Sequence, residues 1–196
     1  MGRFFLFCYR SLARFRSKLF SICISGAFAR FGKGTILTVP VRLSGEERIE
    51  LGDHVFLGPD CWLQTLPDND NCSVAISIGR GTKMSGACVI SAVRHVHIEE
   101  DVLFARNVYV SDHIHKYSDP GHPILAQGID KIGAVLIKRG AWLGQNVVVC
   151  PGVTIGTGSV IGANSVVNRD IPDFCVAVGS PAQVVKRIGV AMAKHG

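Results

Sequence analysis

A six-residue repeat is the feature of this sequence that most constrains its fold. In the last third of the chain, aliphatic residues recur at every sixth position without a gap, at Ile137, Leu143, Val149, Ile155, Ile161 and Val167. An amphipathic helix repeats every 3.6 residues and a half-buried strand every two, so neither produces a strict period of six. A period of six indicates one short strand and one turn on each face of a triangular coil.

The same period occurs in three shorter sets earlier in the chain. These sets are Leu51, Leu57 and Leu63, then Ile78, Met84 and Ile90, and then Ile98, Phe104 and Val110. Insertions at about 64–77, 91–97 and 111–136 separate them. Because three hexads complete one coil, the repeat corresponds to about six stacked coils. We therefore predict a mainly β fold, a left-handed parallel β-helix over residues 31–180 with an inserted loop at 111–136.

The two ends of such a stack need covers, because an outermost coil leaves backbone N–H and C=O groups unpaired. We predict a short helix at each end, one in residues 1–30 and one in the C-terminal helix or tail of residues 181–196. Ser180 and Pro181 match a helix start, with a capping hydroxyl followed by proline in the first turn.

Residues 1–30 combine phenylalanines with basic residues and contain no acidic residue. The longest run without charge, from Leu19 to Ala29, is far shorter than the ~20 apolar residues that span a bilayer. No secretory cleavage pattern follows it, so export is not expected. We predict a basic amphipathic helix, which either lies on an anionic membrane surface or covers the core and packs on a partner subunit.

Composition narrows the functional classes. Hydrophobic residues make up 47% and charged residues 18%, which excludes a disordered chain. Much of the net charge of +6 comes from the N-terminal segment, and we expect no nucleic-acid binding. The seven cysteines are odd in number and form no C-x-x-C pair, which indicates reduced thiols in a cytoplasmic protein. A disulfide framework or a structural zinc site would need denser, paired spacing.

The longest interruption of the repeat is the expected place for chemistry, because loops on a rigid scaffold commonly carry function. It begins with Ser111, Asp112, His113, Ile114 and His115. A neutral imidazole, with an ordinary pKa near 6.5, can take a proton from a hydroxyl group at neutral pH.

Four motifs resemble the hexapeptide-repeat acyltransferases, in particular the sugar and surface-polysaccharide O-acetyltransferase branch related to the galactoside and maltose acetyltransferases. The first is Asn107-Val108 followed by Asp112-His113-x-His115, and the second is Ala-Trp-Leu-Gly-Gln-Asn-Val at 141–147. The third is Ile-Gly-Ala-Asn-Ser-Val-Val at 161–167, and the fourth is Gly-Ser-Pro-Ala at 179–182 before Lys186-Arg187. The resemblance covers roughly residues 31–188.

This resemblance implies a homotrimer that transfers an acetyl group directly from acetyl-CoA, its co-substrate, to a sugar hydroxyl of a surface-polysaccharide or lipopolysaccharide precursor. It implies that His113 is the general base, with His115 as the second candidate, and that Asn107 and Asp112 contact the acceptor. No metal is expected. The resemblance further implies a set of residues that bind the co-substrate: Trp142, Gly144, Gln145, Gly162, Ala163, Asn168, Arg169, Lys186 and Arg187.

Three other functions remain open at this stage. A nucleotide-sugar N-acetyltransferase would use the same fold and co-substrate. The γ-class carbonic anhydrases share the β-helix and bind zinc through histidines, but they have a second loop histidine five residues after the first, and residue 118 is serine here. A non-catalytic β-helix scaffold would bind no CoA.

Overall fold

The computed structural model describes residues 1–67 and 74–189. Residues 68–73 of the predicted insertion at 64–77, including Cys72, and residues 190–196 of the predicted C-terminal tail lie outside the described residues. The chain begins with helix α1 (Gly2–Ile24), and a short 3-10 turn (Ser25–Ala27) connects α1 to the first strand. Nearly every element that follows is a strand of two to six residues.

The strands follow one another in coils of three. The first coil contains β1 (Arg30–Phe31), β2 (Ile36–Leu37) and β3 (Arg42–Ser44), and a 3-10 turn (Glu46–Arg48) leads into the second, with β4 (Ile49–Leu51), β5 (Phe56–Leu57) and β6 (Trp62–Thr65). The third contains β7 (Ile76–Ile78), β8 (Lys83–Met84) and β9 (Val89–Ala92), and the fourth contains β10 (Val96–Ile98), β11 (Leu103–Phe104) and β12 (Tyr109–Ser111).

An inserted loop separates the fourth coil from the fifth. The loop contains β13 (Ile114–His115), the single-turn helix α2 (Ile124–Gln127) and β14 (Ile129–Asp130), which pairs antiparallel with β13. The fifth coil then contains β15 (Val135–Ile137), β16 (Trp142–Leu143) and β17 (Val148–Val149). The sixth contains β18 (Thr154–Ile155), β19 (Val160–Ile161) and β20 (Val166–Val167), and β21 (Cys175–Gly179) and β22 (Ala182–Arg187) end the described chain.

Corresponding strands of successive coils pair in parallel and form three sheets. We call them face A (first strand of each coil), face B (second strand, with β21 and β22 at its end) and face C (third strand). The repeating aliphatic residue of each hexad points inward and is almost completely buried. On face B this inner column is Leu37, Leu57, Met84, Phe104, Leu143 and Ile161, all in register. The predicted β-helix is therefore the fold of the chain, and its core is a set of such columns.

The predicted C-terminal helix is wrong where the structure describes it. Residues 182–187 form strand β22, which pairs antiparallel with β21. The helix-start signal at Ser180 and Pro181 is local, whereas the outer edge of face B offers unpaired backbone groups that a neighbouring strand can satisfy. Pairing at this edge outweighs the local helix signal, and residues 180–181 lie at the bend between the two strands.

Helix α1 covers the other end of the stack. Its Ser21 Oγ accepts a hydrogen bond from the Leu37 N–H at 2.9 Å, and its Ser17 Oγ accepts one from the Val39 N–H at 3.4 Å. Both serines are buried. The helix therefore satisfies backbone groups at the open edge of the first coil. Among the residues described, no helix is long and apolar enough to cross a membrane.

Two neighbouring residues of β10 test whether the inward-facing aliphatic residues form the core. Ile98 is fully buried and His97 is exposed on face A. We expect Ile98→Ala to lower the free energy of unfolding by about 2–5 kcal/mol, because a cavity remains in a core that cannot collapse. The control His97→Ala should stay within about 0.5 kcal/mol. Denaturant unfolding at one protein concentration measures both, and equal effects would contradict the assignment of the column.

Candidate active site

The candidate site begins where the hexad repeat stops. Strand β12 ends at Ser111, and the chain then enters the inserted loop at the corner between faces C and A. Asp112 is completely buried and His113 is 8% exposed at this corner. An aspartate is rarely buried unless it is paired, so its neighbours must compensate for the loss of water.

The compensation for Asp112 comes from the preceding coil. Its carboxylate accepts hydrogen bonds from the backbone N–H groups of Val93 at 2.9 Å, Arg94 at 2.7 Å and His95 at 2.9 Å. These residues belong to the irregular turn between β9 and β10, which is the second interruption of the repeat. The two interruptions thus lie one above the other and form a single structural unit.

The same carboxylate orients His113. Asp112 Oδ1 lies 2.8 Å from His113 Nδ1, and Ser111 Oγ lies 3.2 Å from the same nitrogen. A carboxylate accepts but cannot donate, so Nδ1 carries the proton and Nε2 keeps its lone pair when the ring is neutral. Within the described residues, Nε2 has no hydrogen-bond partner. Ser111 Oγ also donates to the His113 carbonyl at 2.9 Å and fixes the backbone.

Two opposing effects set the protonation of Asp112. Burial alone would raise its pKa, because a low-dielectric surrounding disfavours the charge. The hydrogen bonds from His113 and from the backbone of Val93, Arg94 and His95 outweigh burial and hold the pKa of Asp112 below its usual value. The group is therefore a carboxylate at neutral pH and can stabilise a protonated imidazole.

The second histidine candidate has a different environment. His115 is exposed in β13, and its backbone faces Ile129 across the β13–β14 ladder. Within the described chain its imidazole has no hydrogen-bond partner that would fix a tautomer. The geometry favours His113 over His115 as the base.

Neither of the two residues expected to contact the acceptor, Asn107 and Asp112, presents an exposed side chain beside His113. Asp112 has no exposed surface, and its carboxylate binds His113 and the backbone N–H groups of the preceding turn, so the structure offers an acceptor no open face on this residue. Asn107 lies at the corner between faces B and C, with the width of face C between it and His113. Its Nδ2 donates to Asn146 Oδ1 at 2.9 Å, and Asn146 Nδ2 donates to Asn164 Oδ1 at 2.8 Å.

That stack of asparagines has a backbone cause. All three residues have φ between 59° and 60°, in the left-handed region that asparagine tolerates better than most residues. Stacked coils repeat the turn, so the side chains align one above another. The stack explains the position of Asn107 without a ligand.

One group of co-substrate candidates lies together on face B and its corner with face C. Trp142 is 48% exposed on β16, and Gly144 follows it in the turn. A Cβ at Gly144 would lie 2.7 Å from the Ala163 backbone nitrogen, so only glycine fits between the two coils. Gln145 and Ala163 are exposed, and within the described chain their backbone N–H groups have no partner. Gly162 precedes Ala163 in the equivalent turn of the next coil.

The other candidates divide between two places. Lys186 and Arg187 are exposed on β22, at the C-terminal end of face B. Asn168 and Arg169 are exposed just after β20, at the corner between faces C and A, where His113 lies two coils earlier.

The triangular cross-section separates His113 from Trp142. The corner between faces C and A is opposite face B, so the β-helix body lies between the two residues within one chain. A single subunit therefore carries the two groups of candidate residues on different sides of the coil, and we call these groups the two candidate half-sites. Two copies in contact could bring the half-sites together.

Sequence reasoning missed part of the arrangement. It assigned no role to Ser111, although Ser111 lies directly before the Asp-His pair. It also did not link the irregular stretch at 91–97 to the site, although the poor repeat at Arg94 was visible in the sequence. Among the residues described, no group of three or more His, Cys, Asp or Glu side chains could hold a metal ion.

Comparison with known proteins places these features in context. A family model described as "Bacterial transferase hexapeptide (six repeats)" matches residues 134–169. The putative lipopolysaccharide biosynthesis O-acetyl transferase WbbJ of Escherichia coli K12 is 41% identical over 104 residues, which cover 50% of this chain and 53% of WbbJ. The chain thus spans about half the length of the first curated relatives it matches.

Solved structures match over more of the chain. AntD, an N-acyltransferase from Bacillus cereus in complex with dTDP and 3-hydroxybutyryl-CoA, has a TM-score of 0.70 at 21% identity and covers 88% of each chain. A galactoside acetyltransferase in complex with coenzyme A has a TM-score of 0.55 at 29% identity and covers 85% of this chain and 68% of its own. The predicted resemblance is confirmed: the chain folds as a mainly β, left-handed parallel β-helix and carries the hexapeptide repeat of the bacterial transferases.

Proposed function

We propose that this chain is an acetyl-CoA-dependent O-acetyltransferase that acts on a sugar hydroxyl of a surface-polysaccharide or lipopolysaccharide precursor. The observation that carries the proposal is the buried Asp112 carboxylate, which holds His113 with Nε2 as its proton-accepting atom. The similarity to WbbJ supports the acceptor class, and the galactoside acetyltransferase supports the co-substrate.

In the proposed reaction, His113 Nε2 takes the proton of the acceptor hydroxyl while the oxygen attacks the carbonyl carbon of the thioester. The Asp112 carboxylate stabilises the imidazolium that forms. As the carbon–sulfur bond breaks, the imidazolium returns the proton to the leaving sulfur of CoA. The free N–H groups of Gln145 and Ala163 are suited to bind the amide oxygens of the pantetheine arm, and Trp142 is suited to lie beside it. Lys186 and Arg187 provide positive charge for its phosphates.

We propose a homotrimer, because a complete site needs both half-sites. Faces B and C expose apolar side chains, including Leu103, Trp142 and Tyr109, whereas face A exposes polar ones such as Arg30 and His97. Packing face B of one copy against face C of the next would bury these side chains. It would also bring Trp142 of one copy towards His113 of its neighbour, and cyclic repetition of that contact closes a ring.

We place the enzyme in the cytoplasm, on the inner face of the cell membrane. The six cysteines that the structure describes are free thiols, which agrees with a reducing compartment. Helix α1 supplies the proposed membrane contact.

The nature of the acceptor can be tested directly. Purified protein is incubated with acetyl-CoA and a panel of saccharides, amino sugars and nucleotide-linked amino sugars, and CoA release and product mass are followed. We expect an ester that hydroxylamine cleaves. An amide formed only on an amino sugar would replace the proposal with an N-acetyltransferase, the activity for which AntD is named. If the protein neither binds CoA nor transfers an acetyl group, the alternative of a non-catalytic scaffold would replace the proposal.

The first variant test concerns the base. General-base help contributes a factor of ~10² to 10⁴, so His113→Ala should lower kcat by about that factor. Its Kd for CoA should stay nearly unchanged, because the proposed CoA contacts lie elsewhere. His115→Ala is the matched control and should cost less. If His115→Ala abolishes turnover and His113→Ala does not, the base is assigned to the wrong histidine.

The second variant test concerns Asp112 as a positioning residue. Asp112→Asn should lower kcat and alter the pH–rate profile, because an amide can donate to Nδ1 and favour the other tautomer. It should also lower the free energy of unfolding at pH 7 by about 1–3 kcal/mol, because buried N–H donors lose acceptors. The control Asp119→Asn removes a similar aspartate–histidine contact that is exposed, and should leave stability nearly unchanged.

The stability effect of Asp112 has a definite pH dependence. Its pKa is lower in the folded protein than the ordinary 3.8, so its stabilising contribution is complete above that value. The contribution disappears as pH falls through the lower folded-state pKa. Urea unfolding should therefore show a difference between wild type and Asp112→Asn that shrinks below about pH 4. A constant difference down to low pH would argue against an ionised Asp112.

The third test concerns the shared site. Light scattering should give about three times 21.1 kDa. Co-refolding equal amounts of His113→Ala and Trp142→Ala chains should restore activity towards about one quarter of wild type, because one site in four receives both intact residues. Either variant alone provides the control. A mixture no more active than the separate variants, or a fully active monomer, would contradict the shared site.

A further inference from the structure

Helix α1 contacts the β-helix through a side that carries two serines beside apolar residues. The side chains that it buries are Ser17 and Ser21, and both hydrogen-bond to the first coil. Ala13, Phe20 and Ile24 are half-buried on the same side. A helix that covers a core normally turns its apolar stripe inward. Here the contact combines hydrogen bonds from first-coil N–H groups to the two serines with packing of Phe20 and Ile24 on the core, and most of the large apolar side chains of the helix stay exposed.

Six exposed apolar side chains of the helix form a continuous stripe, and Phe5, Leu6, Phe7 and Tyr9 are exposed on other sides of its first turns. Its members follow one another three or four positions apart, so they share one side of the helix. At 100° per residue, this side lies opposite the side that carries Ser17 and Ser21. The six members of the stripe are Phe4, Cys8, Leu12, Phe15, Leu19 and Ile22. The large ones are 50–68% exposed. No residue from Gly2 to Leu12 is even half-buried, so the first three turns of the helix do not pack against the coil stack.

Cations lie along the sides of this stripe. Arg10, Arg14 and Lys18 run along one side, and Arg16 lies near the other. No acidic residue occurs before Glu46. An apolar stripe bordered by basic residues is the pattern of a helix that lies in the interface of a membrane with anionic lipid.

We propose that α1 docks the protein on an anionic lipid surface, with the apolar stripe inserted among the acyl chains and the cations at the headgroups. This inference deepens the proposed function by naming the surface on which the enzyme works. A second copy of α1 fits the stripe less well, because stripe-to-stripe pairing would bring two sets of cations together without a carboxylate to neutralise them. In the proposed trimer all three helices lie at the same end, so they can meet one surface together.

The full-length protein can be tested by flotation with vesicles, without acetyl-CoA or acceptor. Vesicles of phosphatidylcholine alone are compared with vesicles that contain phosphatidylglycerol. We expect binding to the anionic vesicles at least about tenfold tighter than to the neutral ones, and weaker in high salt. The double substitution Leu12→Asp, Phe15→Asp should weaken it by about tenfold or more. Leu125→Asp, which places a charge at an exposed leucine on the inserted loop, should leave binding unchanged.

Light scattering and circular dichroism of each variant show whether the trimer and the helix persist. Equal binding by wild type and the double variant, or no binding by wild type, would overturn the proposal. Assembly of wild type beyond a trimer that the double variant abolishes without lipid would assign the stripe to a second copy instead. Because vesicle binding is measured without turnover, its failure is distinguishable from a failure of the proposed acetyl transfer.

Discussion

The narrow core of the β-helix determines where every other feature of this protein can lie. Each face of each coil places one repeating hydrophobic side chain inside, such as Ile98 or Phe104, and that column is packed without space for a ligand. Chemistry must therefore use outward-facing side chains, turns or interruptions of the repeat. The candidate site uses all three, since Trp142 faces outward, Gln145 lies in a turn and His113 lies at an interruption.

Asp112 lies inside the scaffold and connects the coils to the His113 imidazole. It occupies a buried position although it is charged, and the coil below provides three N–H donors from a turn that departs from the six-residue repeat. A regular hexad at 91–97 would direct those amides into the sheet ladder instead. The irregular turn and the loop after Ser111 therefore meet at one carboxylate, which also orients the His113 imidazole.

The sequence predicted the features that follow from the six-residue period. It missed features that depend on pairing at a sheet edge or on contacts between stacked coils. The period of six predicts the inward direction of Ile98, because each repeat meets the same neighbours above and below. At Ser180 and Pro181 a local helix-start signal predicted a helix that does not form, since pairing with the free edge of β21 outweighs that signal. Ser111 and the 93–95 turn meet Asp112 only after coils stack. Helix α1 was predicted as amphipathic, but only the contacts of Ser17 and Ser21 show which side faces the protein.

The distance between the N-terminal helix and His113 has a consequence for the proposed acceptor. Helix α1 lies on the first coil and His113 follows the fourth, and strands in a sheet are about 4.8 Å apart. The imidazole therefore lies about 15–20 Å from the level of the helix along the stack. A lipid surface that holds α1 would keep the site away from headgroups and within reach of a saccharide that projects from the membrane. The same scaffold that orients His113 would then also select acceptors by their height above the lipid.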